Sequence, residues 1–257
     1  MFKLSDFVET EVPIRLWVEN GIVCDSLMDE WHFVFLKGDE VLIEQRCRPE
    51  EQTEHELQIE NGKFTGLDFG EFGGGLNFTP DVATPEEVQK KEPIVHFSCG
   101  AWHLDCGYCV FGENIDAIFR FKNRIFALTG MAHLGTDEGA LMEIICQDNL
   151  YSAKKLADLE SAPGLYTICD QNLHILAERK FCIFDTISNS LTTKMDTPEL
   201  FVNRRSGGIK GLRSTSMVAV DAETVYVGLA GGIMMLNPIR GTTRMFYRKS
   251  KQEQKMT

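Results

Sequence analysis

The chain has 257 residues, 43% of them hydrophobic, which is enough for one large all-β domain with a buried core. Its formal net charge is −12, and residues from Arg240 onward carry six basic side chains against Glu253, leaving −17 on residues 1–239. A body that acidic repels nucleic-acid phosphates and attracts cations, and no apolar run approaches a membrane span.

Acidic residues interrupt the first ten positions where a secretory signal needs an apolar core, so no export is expected. The eight cysteines are too sparse for a disulfide scaffold, and Cys146, Cys169 and Cys182 sit in strand-like runs where a thiol acts as a small hydrophobe. These features predict a reduced, cytoplasmic protein.

In chain order, the first strong element is a hairpin over 31–45, with Lys37-Gly38-Asp39 turning between two apolar runs. An acidic loop over 48–54 follows, and then a second hairpin over 57–69 with an Asn61-Gly62 turn. Residues 70–75 read as tight glycine turns. They lack the lysine and hydroxyl of a phosphate loop, as does the 206–211 segment. Residues 79–93 contain three prolines and predict a long connection with one helical turn over 85–90.

The second half repeats a three-strand unit. The first copy spans 118–121, a Lys122-Asn123 turn, 124–128, a long loop, and 140–145. The second spans 165–169, 173–177 and 181–184, and the third spans 216–220, 224–229 and 232–236. Their starts lie about 50 residues apart, the range of propeller blades. Runs such as Thr224-Val225-Tyr226-Val227-Gly228-Leu229 are apolar at nearly every position, which predicts strands covered on both faces, as blades are, rather than an alternating sandwich. Residues 153–159 are the one further helix candidate. The fold expected is all-β: a single β-propeller of five or six small irregular blades over 12–248, at roughly 40–50 residues per blade. A basic, flexible tail is expected at 249–257.

Three segments carry a family resemblance. They are Gly70-Glu71-Phe72-Gly73-Gly74-Gly75-Leu76, the run from Leu128 through His133 and Asp137 to Leu141, and Ser216 to Asp221 with Val225-Tyr226-Val227-Gly228. In this order they resemble a set of bacterial propeller-like proteins whose activity is uncharacterised, and the resemblance covers most of the chain. The chain is also similar to cytosolic immunity proteins that neutralise delivered toxins. That similarity implies a basic toxin domain as partner.

Chemistry-bearing clusters are few. His96, Cys99, His103, Cys106 and Cys109 fall within fourteen residues, but alternate strand positions point to opposite faces and cannot converge on a tetrahedral zinc, so no metal and no cofactor is expected. Cys106-Gly107-Tyr108-Cys109 lacks the following helix that activates a redox cysteine. No serine sits in a nucleophile elbow. His133, Asp137 and Glu138 could act as a metal or acid–base group, or hydrogen-bond the backbone of their own loop.

The sequence therefore favours a non-enzymatic binder of a cationic partner such as a nuclease-type toxin. A metal-dependent propeller hydrolase of the lactonase type and a small-ligand sensor or scaffold stand as alternatives. The partner-binding candidates are Glu71, Asp105, Glu113, Asp116, Asp137 and Glu138, chosen because they lie in or beside loops that join apolar strands.

Overall fold

Short turns that need left-handed backbone punctuate this chain, and they set where strands reverse. Gly38, Lys122, Asp170 and Asn149 all have φ between 51° and 64°, each between two strands. Two longer turns share one design. Asp185 Oδ1 accepts from the backbone N–H of Ile187 at 2.8 Å, Asn237 Oδ1 accepts from that of Arg240 at 2.8 Å, and each turn then places a left-handed residue (Asn189, Gly241) before the next strand.

A computed structural model describes residues 1–10, 31–47, 53–70, 73–82, 96–97, 100–101, 107–133, 136–197, 200–202 and 212–248. The chain begins with β1 (Phe2–Lys3), a single 3-10 turn (Leu4–Asp6), β2 (Phe7–Thr10), β3 (Trp31–Lys37) and β4 (Glu40–Arg46). Then come β5 (Glu54–Ile59), β6 (Gly62–Asp68), β7 (Gly74–Pro80), the short pair β8 (His96–Phe97) and β9 (Gly100–Ala101), and β10 (Tyr108–Phe111). A long meander follows: β11 (Ile115–Phe121), β12 (Arg124–His133), β13 (Thr136–Gln147) and β14 (Leu150–Asp158). The next is β15 (Pro163–Cys169), β16 (Asn172–Ala177), β17 (Lys180–Asp185) and β18 (Ser190–Asp196). The last strands are β19 (Leu200–Val202), β20 (Leu212–Ala219), β21 (Val225–Leu229), β22 (Gly232–Asn237) and β23 (Thr242–Arg248).

The described residues are thus all-β, arranged in several small sheets, and no helix among them is long and apolar enough to cross a membrane. The five larger sheets run β1-β4-β3, β10-β7-β6-β5, β11-β12-β13-β14, β15-β16-β17-β18 and β19-β20-β21-β22-β23-β2. The chain divides into two compact units, one made of 1–50, 165–203 and 207–257, the other of 51–164 and 204–206.

In the first unit the β20–β23 sheet is covered on both faces. One face packs Met217, Val225, Val227, Met234 and Leu236 against Leu176, Phe181 and Met195. The other packs Tyr226, Ile233 and Phe246 against Phe7, Val34 and Ile43. All five residues of β21 are therefore buried, as the unbroken apolar run predicts. The approach of β3 is close because Gly228 has no side chain. A Cβ there would stand 2.2 Å from the His32 carbonyl oxygen, which itself accepts a hydrogen bond from Thr215 Oγ1. Val34 N–H donates to Ser216 Oγ at 2.7 Å beside it. The N-terminal β2 joins β23 as the outer strand, with Glu9 ion-paired to Arg244 and the Arg248 guanidinium 4.0 Å from the Phe2 ring centre.

In the second unit, Ile59, Phe64, Leu76 and Phe78 of one sheet meet Ile118, Ile125, Ala127 and Ile144 of the next. Phe64, Phe78, Tyr108 and Tyr151 form an aromatic cluster, tied by Tyr151 N–H donating to the Tyr108 hydroxyl at 2.6 Å.

The strands of all three repeat copies and both early hairpins coincide with described strands. Two expectations are corrected. Residues 153–159 are β14 strand with Leu159 after it, because Ile144 pairs with Ala153 and Met142 with Lys155, and the ladder outweighs local helix propensity. The long loop expected between 128 and 140 is instead the tip of the β12–β13 hairpin, paired as far as His133 and Thr136. The helical turn at 85–90, the acidic loop over 48–52 and the tail at 249–257 lie outside the described residues.

Two outcomes follow from this packing. Gly228→Ala should lower unfolding free energy by about 1–3 kcal/mol, read from urea midpoints, because backbone on the facing strand leaves a methyl no room. His174 is 1% exposed and stacked edge-on to Phe181, and burial holds its pKa below 6.5. Its folded pKa lies below its unfolded one, so full stability is present above about pH 6.5 and declines as pH falls below it toward the folded value. His174→Leu should flatten that part of the pH–stability curve, measured by thermal unfolding across the acid range.

Candidate functional site

At the paired end of the β12–β13 hairpin the two strands expose opposite chemistry on their two faces. Gly130 lies opposite Gly139, Met131 opposite Glu138, and Ala132 opposite Asp137. Strand alternation sends Thr129, Met131, Glu138 and Ala140 to one face and Asp137 to the other. On Asp137's face, residues 161–163 pack directly over the glycine pair. A Cβ on Gly139 would stand 2.5 Å from the Ser161 carbonyl oxygen, and one on either glycine 2.6 Å from Pro163 Cδ. Asp137 fastens this segment, accepting from Ser161 Oγ at 3.0 Å and from Ala162 N–H at 2.8 Å.

The opposite face borders a cleft of about 420 Å³, within the second unit. Its walls are the β6–β7 turn (Gly70, Gly73, Gly74), the β10–β11 turn (Gly112, Glu113, Asn114), the β12–β13 tip and the end of β14 (Lys155, Asp158). Gly70 and Gly73 have φ of 61° and 94°, the left-handed backbone that favours glycine. Thr129, 1% exposed, donates from its hydroxyl to Glu113 Oε2 at 2.8 Å and fixes that carboxylate at the rim. Asn114 is 6% exposed; its Nδ2 donates to the Gly70 carbonyl at 2.7 Å, while its Oδ1 has no hydrogen-bond partner among the described residues.

Among the described residues that line the cleft are three carboxylates, Glu113, Glu138 and Asp158, and one cation. Lys155 is ion-paired with Asp158, and that hydrogen bond, together with the fields of Asp158, Glu113 and Glu138, raises its pKa above the ordinary lysine value. All four side chains belong to residues that line the cleft. Among the described residues no group of three or more His, Cys, Asp or Glu side chains stands close enough to hold a metal ion.

Of the candidates read from the sequence, Glu113 and Glu138 meet at this cleft. Asp137 is committed to the other face. Asp116 is half-buried within β11. Glu71 and Asp105 lie outside the described residues, as does most of the His96–Cys109 cluster. His133 ends β12. Asn114, Thr129, Lys155 and Asp158 were not anticipated. The last two belong to the segment with a helical pattern, and read as a strand beside an acidic hairpin tip they would have stood out.

No family model matches the chain, and no curated protein matches it. Among solved structures it is similar to the one titled "Crystal structure of the tricorn protease", at 12% identity and a TM-score of 0.36, over 84% of this chain and 26% of that one. The chain spans about a quarter of that protein's length.

The two-faced hairpin tip makes a direct contrast. Asp137→Ala removes the hydrogen bonds it accepts from the buried Ser161 hydroxyl and the Ala162 N–H and should cost about 1–3 kcal/mol. Glu138→Ala, one residue on and facing the cleft, should change stability by no more than about 0.5 kcal/mol. Equal effects in chemical denaturation would refute the assignment of faces.

Proposed function

We propose that the chain is a single β-propeller of five or six irregular blades acting as a non-enzymatic binding module, an immunity protein that caps a cationic, nuclease-type toxin in the cytoplasm. The repeated antiparallel meanders support the propeller, as does the N-terminal β2 completing the sheet built from the C-terminal strands. The observation that carries the binding reading is the convergence of Glu113, Glu138 and Asp158 on one cleft with a single cation among them. A net negative concavity in an acidic body focuses the field toward a basic partner and speeds its encounter. A small-ligand sensor is the second reading, favoured by a cleft volume that suits a small molecule.

Co-expression with the product of the adjacent gene, followed by purification, tests the first reading. The expected result is a complex with a basic protein whose association rate falls with added salt. Glu113→Lys combined with Glu138→Lys should slow association by at least about tenfold and flatten its salt dependence. Recovery of no basic protein, or an association rate indifferent to both charge reversal and salt, would refute it.

A further inference from the structure

We infer that one end of the first unit is a separate docking surface, which seats a protein whose contact face has apolar recesses bordered by lysine and arginine. The inference goes beyond the reading of the cleft and does not depend on it.

Among the described residues the exposed large apolar side chains are Met1, Leu36, Val82, Ile187, Val220 and Ile239. Leu36, Ile187, Val220 and Ile239 lie in or beside turns at the same end of the first unit. Strand pairing shows this. Asn172 pairs with Asp185, so the β15–β16 and β17–β18 turns are neighbours, and the Thr186 hydroxyl donates to the Gln171 carbonyl between them at 2.8 Å. Val225 pairs with Leu236, which sets the β20–β21 turn beside the β22–β23 turn.

The two pairs of turns meet in turn. Cys169, the last residue of β15, packs on the cluster that holds Ala219, the last residue of β20. Burial raises the pKa of its thiol, and the charges of Asp170 and Asp221 raise it further, one acid from each turn. Trp31 bridges antiparallel to Ala230, so β3 runs from there toward the β20–β21 turn. Val41, paired with Leu36, packs with Val218 and Met235 on the cluster of Tyr226 and Ile233.

The apolar tips are held in place. Ile187 and Ile239, 67% and 66% exposed, each stand two residues past a strand, in turns whose first residues, Asp185 and Asn237, accept a backbone N–H through their side chains. Val220 N–H donates to the Thr224 carbonyl at 2.9 Å. Single exposed apolar residues are ordinary, but four gathered on adjoining turns form a patch. Because the turns are already ordered, seating a partner on them costs little loop entropy.

Charge selects the occupant. Asp39, Asp170, Asp221 and Glu223 are exposed at these turns, against Lys37 and Arg240. A second copy docking by the same face would set acid against acid, and an anionic lipid surface would be repelled. A basic rim around apolar recesses complements both features: the isoleucines supply buried area, and the acids steer encounter.

Titration of the isotope-labelled full chain with three synthetic peptides, followed by NMR, tests the surface. One peptide alternates arginine with leucine, one glutamate with leucine, and one arginine with glycine. The expected result is that the arginine–leucine peptide shifts the amides of Gly38, Ile187, Ala222 and Gly241, and that the other two leave them unmoved. Ile187→Ser combined with Ile239→Ser should weaken this binding at least about tenfold and leave the urea midpoint unchanged, because both side chains are exposed. Added salt should weaken it too. Shifts that spare those four amides, equal binding of either control peptide, or undiminished binding by the double serine variant would each overturn the inference. A dimer in sedimentation that the double variant abolishes would assign the face to a second copy and overturn it as well.

Discussion

The cleft depends on one feature of the β12–β13 ladder, the facing pair Gly130 and Gly139. Without side chains at these two positions, residues 161–163 lie flat against one face of the hairpin tip, where Asp137 secures them. That contact fixes the face on which each neighbouring residue must stand. Because strand side chains alternate strictly, Glu138, Met131 and Thr129 are committed to the opposite face. A register slip of one residue would bury Glu138 against Pro163 and expose Asp137. The close packing on one side therefore holds the acidic side open on the other.

The same logic explains what the sequence makes legible. Strands covered on both faces advertise themselves as unbroken apolar runs, and β16, β17, β21 and β22 are readable for that reason. The fourth strand of each meander is polar on much of its length: β14 carries Lys154, Lys155 and Asp158, β18 carries Thr192, Thr193 and Lys194, and β23 carries Thr242, Thr243 and Arg244. Such strands are held by ladder pairing to the strand just before them, which their own apolar pattern does not show. The 153–159 segment even imitates a helix, and only its ladder with β13 decides the matter.

The site was half legible for a related reason. Glu113 and Glu138 could be chosen because carboxylates beside strand ends face solvent. Asp137 differs from Glu138 only in parity, and parity becomes readable once the hairpin is known to continue to its tip rather than open into a loop. Asn114 and Thr129 act through hydrogen bonds to Gly70 and Glu113, partners 44 and 16 residues away, a relation that no local pattern encodes.

Electrostatics then links this geometry to the proposed role. Glu113, Glu138 and Asp158 all line the cleft, and Lys155, the one cation among its described lining residues, is ion-paired with Asp158. That lysine is exposed, on a flexible four-carbon stem toward the end of β14, so its ion pair competes with water throughout. Three carboxylates and one exposed cation lining one cleft leave it net negative, the charge that the proposed basic partner would meet. Any cation that binds only the folded chain also stabilises it by mass action, so the proposed capture of a basic partner carries with it a gain in fold stability.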